Sequence, residues 1–569
     1  MKKSKFSLLL ILTLVFSLFL TACSGGKDNT EGEKPADKDD ATGEEVANVP
    51  QELRMLDSSE IPTMDTVLAE GSTSFTYINN VGEGLYRLDQ DHKPVPALAD
   101  GAPEISDDQK VYTFKLKDSK WSNGEPVTAH DFVFAWRRAI DPATASPYGP
   151  YMMGGKIKGA AEITEAGAAK KDYNLEDLGV KALDDKTLEV TLEKPVVYWE
   201  DLFAFPTFYP QNEKFVTEKG DAFASNAENL LYNGPFKMEK WEGTDATEWV
   251  LVKNPEYHSA DDVTLEKITV NVVKDSNSAV NAFEAGETDM TGLLSSDIVP
   301  SYEGDDRMLR WNDPVVFWIK MNQKNEALAN VNIRKAIAMG FNKEDLANSI
   351  LNNGSVAANY FVPKDFVTGP NGEDFREKHG DLIVFNAEEA KKHWEQGLKE
   401  LGVDKLEIRY LGGDTEAAKK TDAYIKNQLE TNLPGLTVKL ESVPFAVRLE
   451  RDNAMDYDLQ FAGWGPDYGN ALSFTDLWIT DGGSNRMGYS NKKYDELIKA
   501  AQGELATDPE KNWEAQQEAE RIMLEEDAGL APVYQRANNI LLNPAVKGLA
   551  IYNYGPDYSF QWVKITEAE

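Results

Sequence analysis

Leu406-Glu-Ile-Arg-Tyr410 alternates apolar and polar side chains, a helical stretch follows from near Thr415 to Glu430, and Leu436-Thr-Val-Lys-Leu440 alternates again. Strand periodicity, then helix periodicity, then strand periodicity is a βαβ rhythm, and it predicts an α/β lobe with a parallel sheet. The same mixture occurs elsewhere. Lys110-Val-Tyr-Thr-Phe-Lys-Leu-Lys117 puts Tyr112, Phe114 and Leu116 on one face of a strand. Trp121-Ser-Asn-Gly124 is a turn, and Thr128 then caps a helix with an acid, Asp131, three residues on. Phe132, Ala135, Trp136, Ala139 and Ile140 follow at helical spacing until Asp141-Pro142 stops the helix. Ala279 to Ala285 is a short helix stopped by Gly286, and Ile333, Ala336, Ile337 and Phe341 mark another. Asn342 caps the next, which runs to about Leu351. The aromatic run from Tyr198 to Tyr209 fits either core packing at a domain junction or a crossover whose rings line a cleft.

The N-terminal residues read as an address. Lys2, Lys3 and Lys5 precede an apolar run from Phe6 to Leu20, too short for a membrane span and suited to a signal sequence. Leu20-Thr-Ala-Cys23 resembles a lipobox, which makes residues 1–22 a signal peptide and Cys23 the lipidated N-terminus. Two acyl chains anchor a protein stably where one does not. Residues 23–49 are acidic and nearly free of apolar side chains, a flexible tether. Removing residues 1–22 with their three lysines takes the net charge from −37 to −40. So acidic a body repels phosphates, which excludes nucleic acid as a partner.

Enzyme signatures are missing. No two of the histidines His92, His130, His258, His379 and His393 stand four residues apart, and with Cys23 lipidated no thiol remains, so no metal site is expected. There is no Walker A sequence and no G-x-S-x-G elbow. Ser490-Asn-Lys-Lys493 matches S-x-x-K by chance, among polar surface residues. No catalytic residue and no cofactor are expected, which points to a binder. One stretch invites a ligand. Tyr457-Asp-Leu-Gln-Phe461 reads as a strand, and Ala462-Gly-Trp-Gly-Pro-Asp-Tyr468 as a tight turn after it with a lone carboxylate, Asp467, at its tip. The bland alternative for Asp467 is a turn residue bonding its own backbone.

Several stretches together resemble the oligopeptide-binding lipoproteins of bacterial ABC importers, solute-binding protein family 5. They are Gly82-Glu-Gly-Leu-Tyr86, Trp121 to Phe132, Asp141 to Tyr148, Asn233-Gly-Pro-Phe236, Glu284 to Met290, Val331 to Ile337, Ala462 to Tyr468 and Ala531-Pro-Val-Tyr534. The resemblance implies a type II periplasmic-binding-protein-like α/β fold, two lobes around a hinge with an extra domain (cluster C). Lobe I would be residues 50–82, 206–312 and 534–569, the extra domain 83–205 and lobe II 313–533. It implies a monomeric receptor that closes over an oligopeptide and delivers it to the transmembrane subunits of an ABC permease. Cys23 would anchor it to the outer face of a Gram-positive cytoplasmic membrane.

In such relatives the acid of the G-W-x-x-D-Y turn meets the α-ammonium of the ligand, a role that falls on Asp467. Gly465 would help to aim the acid, and Trp464 and Tyr468 would exclude solvent or form pocket wall. Glu70 and Tyr148 match ligand contacts of the family, and Phe445 matches an aromatic lining a side-chain pocket. Leu351, a residue near Ala417, and Phe461 stand where well-known relatives carry cations for the ligand's carboxylate, so capture at those positions is not expected. Gly465 also takes a position of a disulfide that some relatives have. The alternatives are the same fold with a nickel chelate, haem or oligosaccharide, or a secreted hydrolase or surface adhesin.

Overall fold

The computed structural model describes residues 49–567. The signal segment, Cys23 and nearly all of the tether lie outside the described residues. The described chain contains three sheets of four or more strands.

The first sheet has the strand order Glu52–Asp57, Lys267–Val272, Glu248–Lys253, Phe236–Lys240. Its outermost pair, Glu52–Asp57 with Lys267–Val272, is parallel, and the other pairs are antiparallel. Alternation decides the faces: Ile268 and Val270 are buried while their neighbours Lys267 and Thr269 are only partly covered. The helix Ser72–Val81 packs against this sheet. The second sheet is antiparallel, in the order Glu104–Ile105, Val111–Lys115, Thr187–Thr191, Val180–Asp184. Tyr112, Phe114 and Leu116 are buried, on the face their spacing predicts. The helix Ala129–Ile140 covers it, its capping box closed by Thr128 and Asp131 and its buried face made of Phe132, Ala135, Trp136, Ala139 and Ile140. Gly124 turns the chain with φ at +86° and no neighbour near its missing Cβ, so backbone conformation alone selects glycine there.

The third sheet has six strands, in the order Val356–Ala357, Leu530–Leu541, Met308–Met321, Leu459–Trp464, Leu406–Gly413, Leu436–Val443. The βαβ unit is present as expected. Thr415 caps the helix Glu416–Asn432, and the two flanking strands pair in parallel from Leu406 with Leu436 to Gly413 with Val443. The sheet as a whole is mixed, which corrects the expectation of a parallel one. Met308–Met321 is antiparallel to both its neighbours. Only a crossover within one unit forces parallel pairing; strands arriving from elsewhere in the chain are free of that constraint.

Met308–Met321 and Leu530–Leu541 are long and pair along their lengths, with a register break between Asn312 and Val316. Asp313-Pro314 sits in the break, and Pro314 has no N–H to give a ladder. On one side of it Leu541 and Asn539 accept from Thr291 and Leu294. On the other, Val316 to Met321 pair with Trp464 to Leu459. Asn342 caps the next helical segment through Asp345, and a π-helix continues it over Leu346–Leu351, where the sequence placed one helix.

Candidate functional site

The strand Leu459–Trp464 runs three residues farther than the sequence indicates, so the turn begins at Gly465. Pairing with Val316–Met321 fixes it. A Cβ on Gly463 would stand 2.7 Å from the Phe317 ring on the neighbouring strand, so only glycine lets the two backbones pair there. The turn is held from both sides. Asp467 N–H donates to Ser473 Oγ at 2.7 Å, Trp464 Nε1 donates to the Ser473 carbonyl at 2.9 Å, and Gly555 N–H donates to the Pro466 carbonyl at 2.9 Å.

This turn forms one wall of a cavity of about 290 Å³, whose lining includes Glu70, Tyr148, Phe445, Trp464, Gly465 and Asp467. Asp467 is buried. Its Oδ1 accepts from Tyr148 Oη at 3.3 Å, and its Oδ2 has no hydrogen-bond partner among the described residues. Burial pushes its carboxyl up to about 8, and the charge of Asp476 adds to the effect. It is therefore not the self-bonded turn residue of the bland alternative. Tyr148 stacks on Trp464 with centroids 6.3 Å apart and on Phe205 at 5.8 Å, so the aromatic run from Tyr198 backs the wall from the core.

Tyr468 lies elsewhere. Expected as pocket wall or solvent screen, it is fully buried behind the wall, its ring flat on Tyr198 at 4.4 Å and its Oη donating to Asp476 at 3.1 Å. The reason is its partners: Tyr198 offers the ring a flat stacking surface and Asp476 offers the hydroxyl an acceptor, both away from the cavity lining. Glu70 does line the cavity, but its carboxylate is engaged: Oε2 meets Arg486 Nη1 at 3.1 Å, and Oε1 accepts from Asn453 Nδ2 at 3.1 Å. Phe445 opens the helix Phe445–Asn453 and lies under the Arg448 guanidinium, 5.0 Å from ring centroid to Cζ.

The cations were the part the sequence hid. Leu351 and Phe461 are buried apolar side chains, Phe461 stacked 5.4 Å from Phe317. The cavity instead draws Lys320, Arg448, Arg486 and Arg536 from other places. Three of them are paired: Lys320 with Asp452, Arg486 with Asp452 at 3.3 Å and with Glu70, and Arg536 with Asp313. Arg448 has no carboxylate partner among the described residues; its Nη1 donates to the Phe461 carbonyl at 3.0 Å, and burial pulls its pKa down. Lys320 had left a trace, since it interrupts the apolar run Val315-Val-Phe-Trp-Ile319, where a charge is rarely buried unless paired. Arg448 and Arg486 carry no comparable signal in their own stretches.

A second cavity of about 310 Å³ shares Ser72, Phe317, Phe445, Arg536 and Asp557 with the first, so the cleft continues past the Phe445 ring. Among the described residues no group of three or more His, Cys, Asp or Glu side chains could hold a metal ion. Lys493 of the S-x-x-K match donates to Glu518, not to Ser490. No described helix is long and apolar enough to cross a membrane.

Comparison with known proteins follows the same line. The family model for bacterial extracellular solute-binding proteins, family 5 Middle, matches residues 93–486. The dipeptide-binding protein DppE of Bacillus subtilis is 34% identical over 548 residues, 96% of either chain. The oligopeptide-binding protein OppA of the same organism is 32% identical over 559 residues, 96% of this chain and 97% of that one. The solved structure of Listeria monocytogenes OppA bound to peptide superposes with a TM-score of 0.86 at 42% identity, covering 91% of this chain and 99% of that chain.

Proposed function

Because the chain belongs to the bacterial extracellular solute-binding proteins of family 5, we propose that it is the peptide receptor of an ABC importer and takes the ligand's α-ammonium on Asp467. The observation that carries this reading is the free Oδ2 of a buried carboxylate on the wall of the cavity. A buried charge without a partner is costly. A peptide ammonium would replace the missing water with a fixed ion pair. The relatives named for dipeptides and oligopeptides, and the Listeria protein bound to peptide, support the ligand class.

On this reading one lobe is residues 50–82, 206–312 and 534–569, the other is 313–533, and 83–205 is the extra domain. The register break at Asn312–Val316 supports a hinge close to those boundaries. Ligand binding closes the lobes by rotation at that hinge. Cys23 carries the lipid, the body acts as a monomer without catalysis, and an ABC permease receives the peptide at the outer membrane face.

Calorimetry on residues 50–569, unfolded and refolded to strip carried-over ligand, tests this. A pool of short peptides should bind, and the same pool N-acetylated should not. Equal binding of both pools removes Asp467 from ammonium recognition, and no binding of either removes the peptide reading.

A further inference from the structure

Behind Asp467 lies a second buried carboxylate with its own counter-ion. Asp476 is 8% exposed, and its Oδ2 accepts from Tyr468 Oη at 3.1 Å and from Gln502 Nε2 at 3.4 Å. The same oxygen stands 3.7 Å from Lys156 Nζ. Lys156 is 4% exposed; its Nζ donates to the Tyr151 carbonyl at 2.9 Å and lies 5.2 Å from the centre of that ring. Tyr151 in turn packs edge-on against Tyr148, which donates to Asp467. Oδ1 of Asp476, Oδ2 of Asp467 and Oη of Tyr151 make no hydrogen bond of good geometry among the described residues, although the Tyr151 hydroxyl stands near enough to Asp467 to lower its carboxyl against the effect of burial.

The other titratable and charged groups around this cluster are few. Tyr148 and Tyr151 face it from the helix Gly149–Met153 and its N-cap, and Lys194 and Tyr198 from the segment before the helix Trp199–Ala204. Tyr468 shares the Asp467 turn, Tyr494 faces Asp476 from the helix Lys492–Gln502, and the Glu70–Arg486 pair lies beyond Tyr148. The core of the cluster is two carboxylates against one fully buried lysine, whose pKa burial pulls down while Asp476 and Asp467 hold it up.

We propose that Lys156 and Asp476 are positioning residues for ligand binding, whose ion pair neutralises Asp476 and leaves Asp467 as the uncompensated carboxylate that a ligand ammonium satisfies. Two carboxylates in one dry site do not both ionise readily. Lys156 relieves that conflict by engaging Asp476, so the proton on Asp467 competes with the ligand's ammonium and not with a second acid. Burial raises both carboxyls, Asp476 raises Asp467 further, and Lys156 lowers both. Lys156 comes from residues 83–205 and Asp476 from the far half of the chain, so the pair also ties the Asp467 turn to Tyr148 and Tyr151.

The inference rests on the peptide reading above, and its test separates the two. A ligand peptide is selected from a pool of short random peptides by retention on the immobilised protein. Its affinity and that of its N-acetylated form are then measured by calorimetry from about pH 5 to about pH 10, the span over which a buried carboxyl and an α-amino group titrate. The proteins are wild type, Asp476→Asn, Lys156→Met and the double variant, each checked for folding by circular dichroism. Wild-type affinity should follow a bell, its acid limb set by Asp467 and its alkaline limb by the peptide amine. Asp476→Asn should move the acid limb down by about one pH unit or more. Lys156→Met should move it up and lower the maximum roughly tenfold, and the double variant should return it close to wild type. An acid limb that stays in place, with affinity reduced alike at every pH, reduces the pair to a structural contact and overturns the proposal. If Lys156→Met does not fold, Asp476→Asn and the double variant decide. An N-acetylated peptide that binds as well as the free one refutes the Asp467 reading itself. Failure to retain any peptide refutes the peptide reading and this inference together.

Discussion

Asp467→Asn removes a charge while keeping the shape of the side chain, and it should act in opposite directions on stability and on binding. Asp467 is 6% exposed with its carboxyl pushed up to about 8, against 3.8 for an ordinary carboxyl. Between those values the folded state holds a proton that the unfolded chain has released. Stability therefore falls as pH rises from about 4 to about 8 and stays low above that. At about 1.36 kcal/mol per pH unit, the ceiling on the penalty is on the order of 5 kcal/mol. Asn carries no such penalty. The empty Asn variant should melt above wild type at about pH 9, and the gain should vanish below about pH 4. Binding goes the other way, because truncating one side of a buried charge pair costs about 2–5 kcal/mol. That is roughly a 30- to 5,000-fold rise in Kd for a peptide with a free amine. Thermal unfolding of ligand-stripped protein at the two pH extremes, with calorimetry beside it, measures both. A variant that melts lower than wild type at high pH and binds as tightly would make Asp467 an ordinary turn residue and would falsify the charge argument.

Arg448→Gln should weaken peptides with a free C-terminal carboxylate by at least about tenfold and leave their amidated forms unchanged, since Arg448 is the wall guanidinium without a carboxylate partner among the described residues; an unchanged ratio of the two affinities would exclude it. Glu70→Gln breaks the contact with Arg486 across the cavity, worth about 1–3 kcal/mol as a charge-assisted hydrogen bond, so solution scattering of the empty variant should show a larger radius of gyration than wild type. Thr128→Ala opens the capping box of the helix Ala129–Ile140 and should cost about 1 kcal/mol in denaturant unfolding without changing peptide affinity.

What the sequence revealed was local. Thr128 with Asp131, Thr415 before its helix, and the alternation of Tyr112, Phe114 and Leu116 each depend on neighbours within a few residues, and each matches the structure. The mixed six-stranded sheet was hidden because Val316–Met321 and Leu530–Gln535 pair across more than 200 residues of chain, as the register Val316 with Gln535 illustrates. The site divides the same way. The turn before Asp467 was legible in Gly465 and Pro466, while Gly463 belongs to the strand. Whether Glu70 was free, which side of the wall Tyr468 faced, and where the cations came from depended on segments that meet only after folding. Family resemblance pointed to Asp467 but not to its surroundings, since Lys156 and Asp476 carry no local signal in their own stretches.

Those surroundings explain how an orphan carboxylate is tolerated. A packed core satisfies nearly all its buried polar groups, and most charges of this cavity obey: Lys320, Asp452, Arg486 and Glu70 form a closed chain, and Arg536 has Asp313. Asp467 Oδ2 and the Arg448 guanidinium stand outside that pairing. As a core residue Asp467 would be a defect, removable by a neutral substitution at a gain in stability. On the proposed reading the two would be deferred interactions, one anion and one cation, for a zwitterionic ligand to complete. Sequestering them from the neighbouring pairs matters as much as exposing them, because a Lys156 or Arg486 free to reach Asp467 would satisfy it without ligand. The stability surrendered in the empty cleft then returns on binding as RT ln(1 + [L]/Kd), about 2.7 kcal/mol at a hundredfold excess over Kd. A ligand peptide should thus raise the melting temperature of wild type more than that of Asp467→Asn at equal concentration, and equal shifts would mean that the orphan carboxylate is not what the ligand completes.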